Sequence, residues 1–474
     1  MRHTTILTAL IVATALFMEN MDGTVLATSL PAIAQDLKQD PIVLKLALTS
    51  YMLTLAVFIP ASGWVADKLG ARTVFCSAII TFTLGSICCG ASTSLPTLIA
   101  ARVFQGFGGA MMVPVGRLVL LRSTPKSQMV NALAYLTVPA LIGPVVGPPL
   151  GGFITTYFQW RWIFWINVPI GLIGVALTLR FIENIRERDV GRFDFKGFFL
   201  SGPGLLSLIF GLTLLGSNLA PASVMATLIV GGLALLVAYV RHARRVPDAI
   251  IDLGLLRTPT FFAGVVGGFI FRIGIGAIPF LLPLLLQIGF GLTPFESGSL
   301  TFAAAAGAMA MKFSAATILR RIGFRRVLIF NAVLSAAFIA SYGLFGVQTP
   351  HWLMLAPLLV GGFFRSLEFT ALNAIIYADV DQARMSRATS FASVAQQMSG
   401  AIGVAIAAAS VEAFRYGLSG GELVARDMTL TFGVVALVTL GSVPIFLRLK
   451  PDAGAQVSGQ RLVAETTAPG AATS

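Results

Sequence analysis

Two carboxylates, Glu19 and Asp22, interrupt the first long apolar stretch of the chain. The stretch is long enough to cross a bilayer, since about 20 apolar residues at 1.5 Å per residue suffice. An acid at membrane depth costs roughly 2.5–3.5 kcal/mol on an insertion scale, so it rarely persists there without a partner or a task. Residues three apart share one face of a helix. The chemistry that such a face could carry is the uptake and release of a proton.

Arg102, in the fourth apolar stretch, is the candidate partner of Asp22. The first span is expected to run outward and the fourth inward, so both residues should lie about 8–12 Å below the same membrane surface. Burial favours a neutral acid and a guanidinium favours the carboxylate, so the paired acid can load and release a proton as access alternates. The alternative is a static ion pair that only joins two helices. Glu19 lies one turn deeper without a basic neighbour in sequence, and it is either neutral or meets a cationic substrate.

A second group of polar residues falls within the later spans. Arg272, Arg365 and Glu368 are expected near the membrane midplane, where transporters bind their substrates. Arg365 and Glu368 can pair within one helix, which leaves Arg272 to find Glu368, a water or an anionic ligand. Gln396 is either a helix contact or a cavity wall. Together with Glu19 these four residues are the candidate substrate cavity, and structural roles fit them equally well.

The composition indicates the class of the protein. The chain has 474 residues, of which 56% are hydrophobic and 11% charged, and its mean hydropathy is +0.86. A soluble globular chain has about 25% charged residues, so the sequence predicts an all-α polytopic membrane protein. The apolar runs define fourteen spans. Their expected limits are 6–30, 44–66, 73–92, 97–119, 130–154, 162–182, 197–216, 222–241, 260–286, 297–318, 327–347, 352–376, 386–411 and 428–448.

The positions of lysine and arginine indicate the orientation of these spans. With the N-terminus in the cytoplasm, most of the 33 basic residues fall on the cytoplasmic side, as the positive-inside rule requires. Both termini are therefore expected in the cytoplasm, and the protein in the inner (plasma) membrane of a bacterium. The net charge of +13 follows this topology and does not indicate a nucleic-acid partner.

The sequence offers no pattern for a metal, a cofactor or an enzymatic reaction. The three cysteines fall in one apolar segment and the three histidines at segment edges, so no metal-ligand spacing is present. There is no Walker-type nucleotide motif and no nucleophile–base–acid set. We therefore expect a non-enzymatic protein without a metal or cofactor, with the proton gradient as its energy source.

A repeated loop motif predicts two related halves. Residues 63–72 follow the second span, and residues 316–325 follow the tenth with a similar pattern. Such repeats are typical of transporter halves. The expected organisation is a six-helix bundle at 1–183, linkers and an inserted helix pair at 184–258, a second six-helix bundle at 259–450 and a disordered cytoplasmic tail at 451–474.

The first copy of the loop motif contains Gly63, Asp67, Gly70 and Arg72. Asp67 is expected to cap the N-terminus of the third span or to pair with Arg72, and the glycines to permit a tight turn. The functional hypothesis is a latch between the two bundles at the cytoplasmic surface, and the alternative is a plain charged loop. The second copy has Arg320 in place of Asp67.

The fifth span is rich in glycine and proline. Glycines four apart line one face of a helix and permit close packing, while prolines remove backbone donors and bend the helix. The segment is therefore expected to act as a joint for alternating access, or else as an ordinary small-residue packing face. Its residues are Gly143, Pro144, Gly147, Pro148, Gly151 and Gly152.

Six segments resemble signatures of the major facilitator superfamily. They are Gly63–Arg72, Arg102–Gly109, Gly143–Gly152, Met21–Pro31, Trp160–Gly171 and Arg192–Asp194. The first two resemble the loop 2–3 and span 4 signatures of the superfamily, and the third resembles the signature shared by its antiporters. The other three are similar to the 14-helix drug:proton antiporter branch, the EmrB/QacA type. The resemblance covers nearly the whole chain.

The resemblance implies a fold of two six-helix bundles with an inserted pair, and proton-driven export of amphipathic, often cationic, compounds. It also assigns Asp22 and Arg102 to proton coupling. The chain departs from the family pattern at Glu19, which is an additional acid, and at the second loop copy, which lacks its Asp.

The sequence thus predicts a proton-coupled antiporter for drugs, dyes and lipophilic cations, acting as a monomer in the lipid bilayer. Export of an anionic or zwitterionic metabolite, a siderophore or a fatty acid is the main alternative, which Arg272 and Arg365 favour. A passive channel and a non-transporting sensor are further alternatives. The sequence leaves open whether a periplasmic adaptor extends the export path.

Overall fold

The computed structural model describes residues 3–123, 129–184, 186, 192–214, 220–246, 249–381 and 384–458. Within these ranges the chain is helical and contains no strand. Fourteen long helices account for most of it. They are α1 (His3–Asp36), α2 (Lys45–Leu69), α3 (Ala71–Gly90), α4 (Leu95–Ser123), α5 (Met129–Tyr157), α6 (Trp162–Phe181), α7 (Phe195–Leu214), α8 (Ala222–Ala243), α9 (Pro259–Gly289), α10 (Pro294–Ile322), α11 (Phe324–Tyr342), α12 (His351–Ile375), α13 (Met385–Leu418) and α14 (Ala425–Leu447).

Twelve of these helices are long and apolar enough to cross a membrane, within the part of the chain that is described. The other two, α5 and α10, each have 29 residues, which at 1.5 Å per residue also exceeds the membrane thickness. The predicted all-α fold of fourteen spans is therefore confirmed.

Several helices extend beyond their expected limits. The first span was predicted to end at residue 30, but α1 continues through Pro31 to Asp36. The span before α14 was predicted to end at residue 411, but α13 continues to Leu418. The physical reason is that hydropathy marks where a helix leaves the apolar layer, whereas the backbone hydrogen bonds continue into the polar layer.

Because consecutive helices alternate in direction, the molecule has two ends. We call the end where α1 begins and α14 ends the basal end, and the end where α1 ends and α2 begins the distal end. Within helices α1–α6 the main contacts join α1 to α5 and α4 to α2 and α3. Within helices α9–α14 they join α10 to α12 and α9 to α13. The two groups meet where α5 packs on α10 and α2 packs on α13. That these groups move as separate bodies stays a prediction.

The inserted helices α7 and α8 pack on each other, and α7 also lies along the line where the two groups meet. A small buried cluster joins Leu53 of α2, Ile209 of α7 and Ala401 of α13. Before α7, the carboxylate of Asp194 accepts hydrogen bonds from Gly197 N at 2.8 Å and pairs with His242 Nε2 of α8 at 2.8 Å. The inserted pair is thus held against both halves rather than lying apart from them.

The first part of the predicted disordered tail is structured. Residues 451–458 form a turn and the short helix Ala455–Ser458. Gly454, at φ +71°, lies against the ring of Phe324 at the start of α11, and Ala455 is buried. The apolar contact explains why these residues depart from the prediction, and residues 459–474 lie outside the described part of the chain.

Candidate functional site

Asp22 lies at the centre of a buried hydrogen-bond network between α1, α4 and α6. Arg102 Nη1 donates to Asp22 Oδ2 at 2.5 Å, so the predicted ion pair is present. Gln105 Nε2 and Asn167 Nδ2 both donate to Asp22 Oδ1, at 2.9 and 3.2 Å. The carboxylate therefore accepts hydrogen bonds from three side chains on two other helices.

The same network fixes the donors around the acid. Arg102 Nη1 also donates to Gln105 Oε1 at 2.6 Å, and Arg102 Nε donates to Ala47 O of α2 at 3.1 Å. The guanidinium lies 4.3 Å from the centroid of the Tyr51 ring. Asp22 is 3% exposed and Arg102 is fully buried. A buried ion pair whose remaining polar atoms are satisfied persists, whereas the loss of either partner leaves an uncompensated charge.

Sequence reasoning missed Gln105 and Asn167 as partners of the acid. Asn167 Nδ2 is also 3.0 Å from Ser86 Oγ, which donates to Phe164 O at 2.8 Å. Both amides lie inside segments that the resemblance had singled out, and Gln105 follows Arg102 by one helical turn. That spacing was the available signal for Gln105, but nothing in the sequence indicates that α6 contacts α1.

Glu19 lies one turn from Asp22 toward the basal end, outside this network. It is half-buried, and its Oε2 has no hydrogen-bond partner within the described ranges. The positive charge of Arg117 on α4 lies within electrostatic range of it. The structure therefore gives Glu19 a basic neighbour that the sequence did not indicate, while the acid keeps a free acceptor.

The second half contains a different arrangement of charges. Arg272 of α9 donates from Nη2 to Asn373 Oδ1 of α12 at 3.0 Å, and its guanidinium lies 5.5 Å from the Phe369 ring centroid. Glu368 is fully buried, yet neither of its carboxylate oxygens has a hydrogen-bond partner among the described residues. The ion pair of Arg365 with Glu368 that the sequence allowed is therefore not formed. Arg272 is the basic group whose charge lies within electrostatic range of Glu368.

The structure separates the remaining candidates from that pair. Arg365 is half-buried and lines a cavity between α5, α10 and α12. Gln396 is exposed on α13, one turn before Gly400, whose position lies against Met52 of α2. The candidate substrate residues thus lie on several helices near the line where the halves meet, and they do not form one cluster.

The glycines of α5 face two different helices. Added Cβ atoms at Gly143 and Gly151 would lie 3.0 Å from Phe17 O and 2.8 Å from Val25 O of α1. One at Gly152 would collide with the backbone of Pro294 of α10. The remaining motif residues contact the same two helices or line the cavity between α5, α10 and α12. Gly147 abuts Thr24 of α1, Pro148 abuts Gly298 of α10, and Pro144 lines the cavity with Arg365.

The distal end is closed by contacts between the two halves. Each contact joins a residue of the first half to one of the second half. They are Gln287 Nε2 to Thr28 O at 2.8 Å, Phe295 N to Thr156 Oγ1 at 3.0 Å, and Arg415 Nη1 to Asp40 Oδ2 at 2.6 Å. In this conformation the two halves are therefore in contact at the distal end.

The loop between α2 and α3 differs from its prediction in one respect. Asp67 lies in the last turn of α2, and the N-cap of α3 is Gly70, at φ +96°, so Asp67 does not cap α3. Arg72 Nη1 donates to Ile182 O at the end of α6 at 3.3 Å, and Gly70 abuts Asn184. Gly63 is exposed and has no close contact. Gly70 and Arg72 therefore join the loop to the first half itself, and a latch between halves stays a prediction.

No group of three metal-ligating side chains occurs in the ranges that the structure describes. The geometry of the site is that of buried charges distributed over a helical bundle, which is the setting in which membrane proteins place ion and substrate pathways.

Comparison with known proteins gives a family and relatives. The family model described as Major Facilitator Superfamily matches residues 12–404 and 264–469. A protein of Pectobacterium carotovorum subsp. carotovorum (strain PC1), named "Putative multidrug resistance protein MdtD", is 37% identical over 444 residues, covering 93% of this chain and 95% of the relative. A protein of Salmonella heidelberg (strain SL476) with the same name is 40% identical over 401 residues, covering 84% of each chain.

Solved structures with the same fold include two transporters. One, titled as a POT family transporter in complex with 5-aminolevulinic acid, matches with a TM-score of 0.70 at 14% identity, over 95% of this chain and 96% of that one. Another, titled as the POT family transporter PepTSo, matches with a TM-score of 0.69 at 12% identity, over 93% and 97%. At this identity the match establishes the fold alone.

Proposed function

Since this chain belongs to the major facilitator superfamily, we propose that it is a proton-coupled antiporter that exports small amphipathic compounds by alternating access. It is a multi-pass membrane transport protein and not an enzyme. Its relatives carry the name of multidrug resistance proteins, and the proposal extends that description to drugs, dyes and lipophilic cations as cargo. No cofactor is needed, because the proton gradient supplies the free energy. One proton crossing 100 mV contributes about 2.3 kcal/mol.

The observation that carries the proposal is the buried carboxylate of Asp22 with its three donors. A carboxylate that binds a proton loses its charge, so its hold on Arg102, Gln105 and Asn167 weakens. Arg102 would then seek other acceptors, and α1 would be released from α4 and α6. Proton uptake at one acid thereby changes how three helices pack.

The packing of α5 connects this acid to the other half. Helix α1 makes its closest approach to α5 along the glycine face, and α5 in turn abuts α10 at Gly152 and Gly298. A displacement of α1 therefore changes the contact between the halves at the distal end. This chain of contacts supports a role of the α5 segment as the joint of alternating access.

We further propose that the basal end faces the cytoplasm of a bacterium and the distal end faces the periplasm. The basic residues near helix ends support this orientation, since Lys68, Arg320, Arg321 and Arg326 all lie at the basal end. The closed distal end then corresponds to a state that receives cargo from the cytoplasmic side. We propose that the functional unit is a monomer.

The proposal is tested with purified protein in liposomes under an imposed pH gradient. Ethidium serves as the cargo, and wild type is compared with Asp22→Asn and with the control Glu422→Gln, which removes an exposed acid at the distal end. We expect wild type and Glu422→Gln to export ethidium in proportion to the gradient. Asp22→Asn should still bind ethidium but lose gradient-driven export.

Two results would contradict this proposal. Equal gradient-driven export by Asp22→Asn and wild type would remove Asp22 from coupling and direct attention to Glu19 or Glu368. Export by wild type that does not respond to the gradient, for cationic and anionic cargo alike, would refute the antiporter itself.

An anionic or zwitterionic cargo is the second candidate function. It is favoured by the basic side chains of the cavity between α5, α10 and α12.

A further inference from the structure

One cavity lies where α5 of the first half meets α10 and α12 of the second half. Its volume is about 310 Å³, near the lower limit of ligand pockets. Its walls come from both halves. The lining residues are Pro144, Val145, Ala305, Ala308, Met309, Lys312, Arg365, Ser366 and Phe369.

Two cationic side chains project into this space at a similar depth. Lys312 lies within α10, about three turns before the basal end of that helix. Its Nζ donates to Thr370 Oγ1 at 2.9 Å, which engages one of three donors. Arg365 is half-buried, and neither residue has a carboxylate within ion-pair distance in the described part of the chain.

The nearest acid does not compensate these charges. Glu368 follows Arg365 by one turn of α12, but it is fully buried and its charge is opposed by Arg272 of α9. No carboxylate lines the cavity among the residues described. Arg365 is half-buried and Lys312 is exposed, so the cavity admits a ligand, and two positive charges on its walls attract an anion that lies between them. The cavity is therefore electrostatically suited to a negative group.

The remaining walls determine what can carry that group. Apolar surface comes from Pro144, Val145, Met309 and Phe369. Besides the two cations, the lining contains the polar side chain of Ser366, whose hydroxyl already donates to Ala308 O at 2.8 Å. A ligand that satisfies both parts has a charged end and an apolar body. Because the walls belong to both halves, such a ligand would contact both as they move.

We propose that Lys312 and Arg365 form a subsite for the anionic group of an amphipathic cargo, such as an aromatic or alkyl carboxylate or sulfonate. The inference rests on the proposed export function and adds amphipathic anions to its substrate class. It implies that the transporter accepts organic anions or zwitterions in addition to the lipophilic cations of the proposed function. The positive charges would also exclude cations from this corner of the bundle.

The test measures binding of two fluorescent probes to purified protein in lipid nanodiscs. Anilinonaphthalene sulfonate represents amphipathic anions, and ethidium represents amphipathic cations. Wild type is compared with Lys312→Gln and Arg365→Gln, with the charge-retaining Lys312→Arg, and with the control Arg321→Gln. The control removes an exposed positive charge from the same helix, at its basal end.

We expect Lys312→Gln and Arg365→Gln each to weaken anion binding about tenfold or more, the size expected for the loss of one charge-assisted hydrogen bond. Ethidium should bind these variants more tightly, because a positive charge has been removed. Lys312→Arg should restore most of the anion affinity, and Arg321→Gln should bind both probes as wild type does.

The opposite responses of the two probes separate a binding role from a structural one. Unchanged anion binding in both glutamine variants, absence of anion binding by wild type, or parallel loss of both probes would each overturn the subsite. Gradient-driven ethidium export by wild type in any of these cases would leave the antiporter proposal standing. Anion binding with the expected pattern but without gradient-driven transport would instead overturn the antiporter and keep the subsite.

Discussion

Two buried carboxylates, one in each half of the molecule, differ in the number of hydrogen bonds that they accept. Asp22 accepts hydrogen bonds from three side chains and forms an ion pair with Arg102 at 2.5 Å. Glu368 is also fully buried and also has an arginine within electrostatic range, but neither of its oxygens accepts a hydrogen bond from the described residues. The first site is complete in this conformation and the second is not.

The two sites therefore differ in how far the burial of their carboxylates is compensated. A buried polar atom without a partner costs about 1–3 kcal/mol, and more when it is charged, so the second site holds free energy that another arrangement of the helices could recover. The site around Asp22 has its donors in a conformation whose halves are in contact at the distal end. We therefore expect the two carboxylates to respond differently when their partners are removed.

The largest expected effect comes from removing the arginine of each pair. Arg102→Met should destabilise the protein by about 3–5 kcal/mol, because it leaves a buried carboxylate without its counter-charge. Arg272→Met should cost less, because Glu368 accepts no hydrogen bond from Arg272, and the hydrogen bond lost among the described residues is the one to Asn373. Both variants and wild type are unfolded in mild detergent by titration with SDS, and the free energies of unfolding are compared.

The comparison of the two halves would be wrong if Arg272→Met destabilised the protein as much as Arg102→Met does. Arg321→Gln, which changes an exposed residue, serves as the control and should unfold as wild type does.

The matched acid-to-amide changes test the same contrast with a smaller expected effect. Asp22→Asn removes the acceptor of a charge-assisted hydrogen bond and should cost about 1.5–3 kcal/mol. Glu368→Gln loses no hydrogen bond within the described ranges and should cost less than about 1 kcal/mol. The same SDS titration measures both, and a larger loss for Glu368→Gln would indicate that Glu368 has an unrecognised donor.

Much of this arrangement could be predicted from the sequence, for a physical reason. Apolar runs and the bias of basic residues depend only on the local chain and the membrane, so the fourteen spans were predictable. The pairing of Asp22 with Arg102 followed from depth alone, since a buried acid needs a nearby base. Contacts that depend on which helix faces which were not predictable, and Asn167 is the clearest case.

Other errors have the same origin. The pairing of Arg365 with Glu368 that their spacing within α12 allowed is not formed, because Arg365 lines a cavity and Glu368 lies within range of Arg272 of α9. The charge of Lys312 alone gave no sign of its neighbours. Its position beside Arg365 became apparent only from the packing of α10 on α12.

The contacts between the halves at the distal end allow a test of whether the difference between Asp22 and Glu368 belongs to this conformation. An added methyl at Gly298 would collide with the backbone of Pro148, whereas one at Gly63 meets no atom within 4 Å. Gly298→Ala should therefore disfavour the closed distal end by about 1–3 kcal/mol, the usual cost of overpacking, and Gly63→Ala should not. Labelling of a cysteine introduced at Thr28, on a background without Cys76, Cys88 and Cys89, reports opening.

If the labelling rates of Gly298→Ala and Gly63→Ala were equal, these contacts would not govern access at this end. If Gly298→Ala opens the end, the stability difference between Asp22→Asn and Glu368→Gln should shrink in its background.

The smallest effect is expected at the ion pair that joins the halves near the surface. Arg415 and Asp40 are 2.6 Å apart, as close as Arg102 and Asp22, but their side chains are 18% and 32% exposed rather than about 1%. An exposed pair contributes about 0.2–1 kcal/mol and is screened by salt. Arg415→Gln should therefore raise the labelling rate of the cysteine introduced at Thr28 only about two- to fivefold. With the wild-type pair in place, raising the salt concentration from about 0.05 to 0.5 M should produce most of the same increase in labelling rate. The Asp22–Arg102 pair should respond much less to salt, because both of its side chains are buried in this conformation. An equal salt response of both pairs would mean that burial is not what distinguishes them, and the contrast between the two halves would then need another cause.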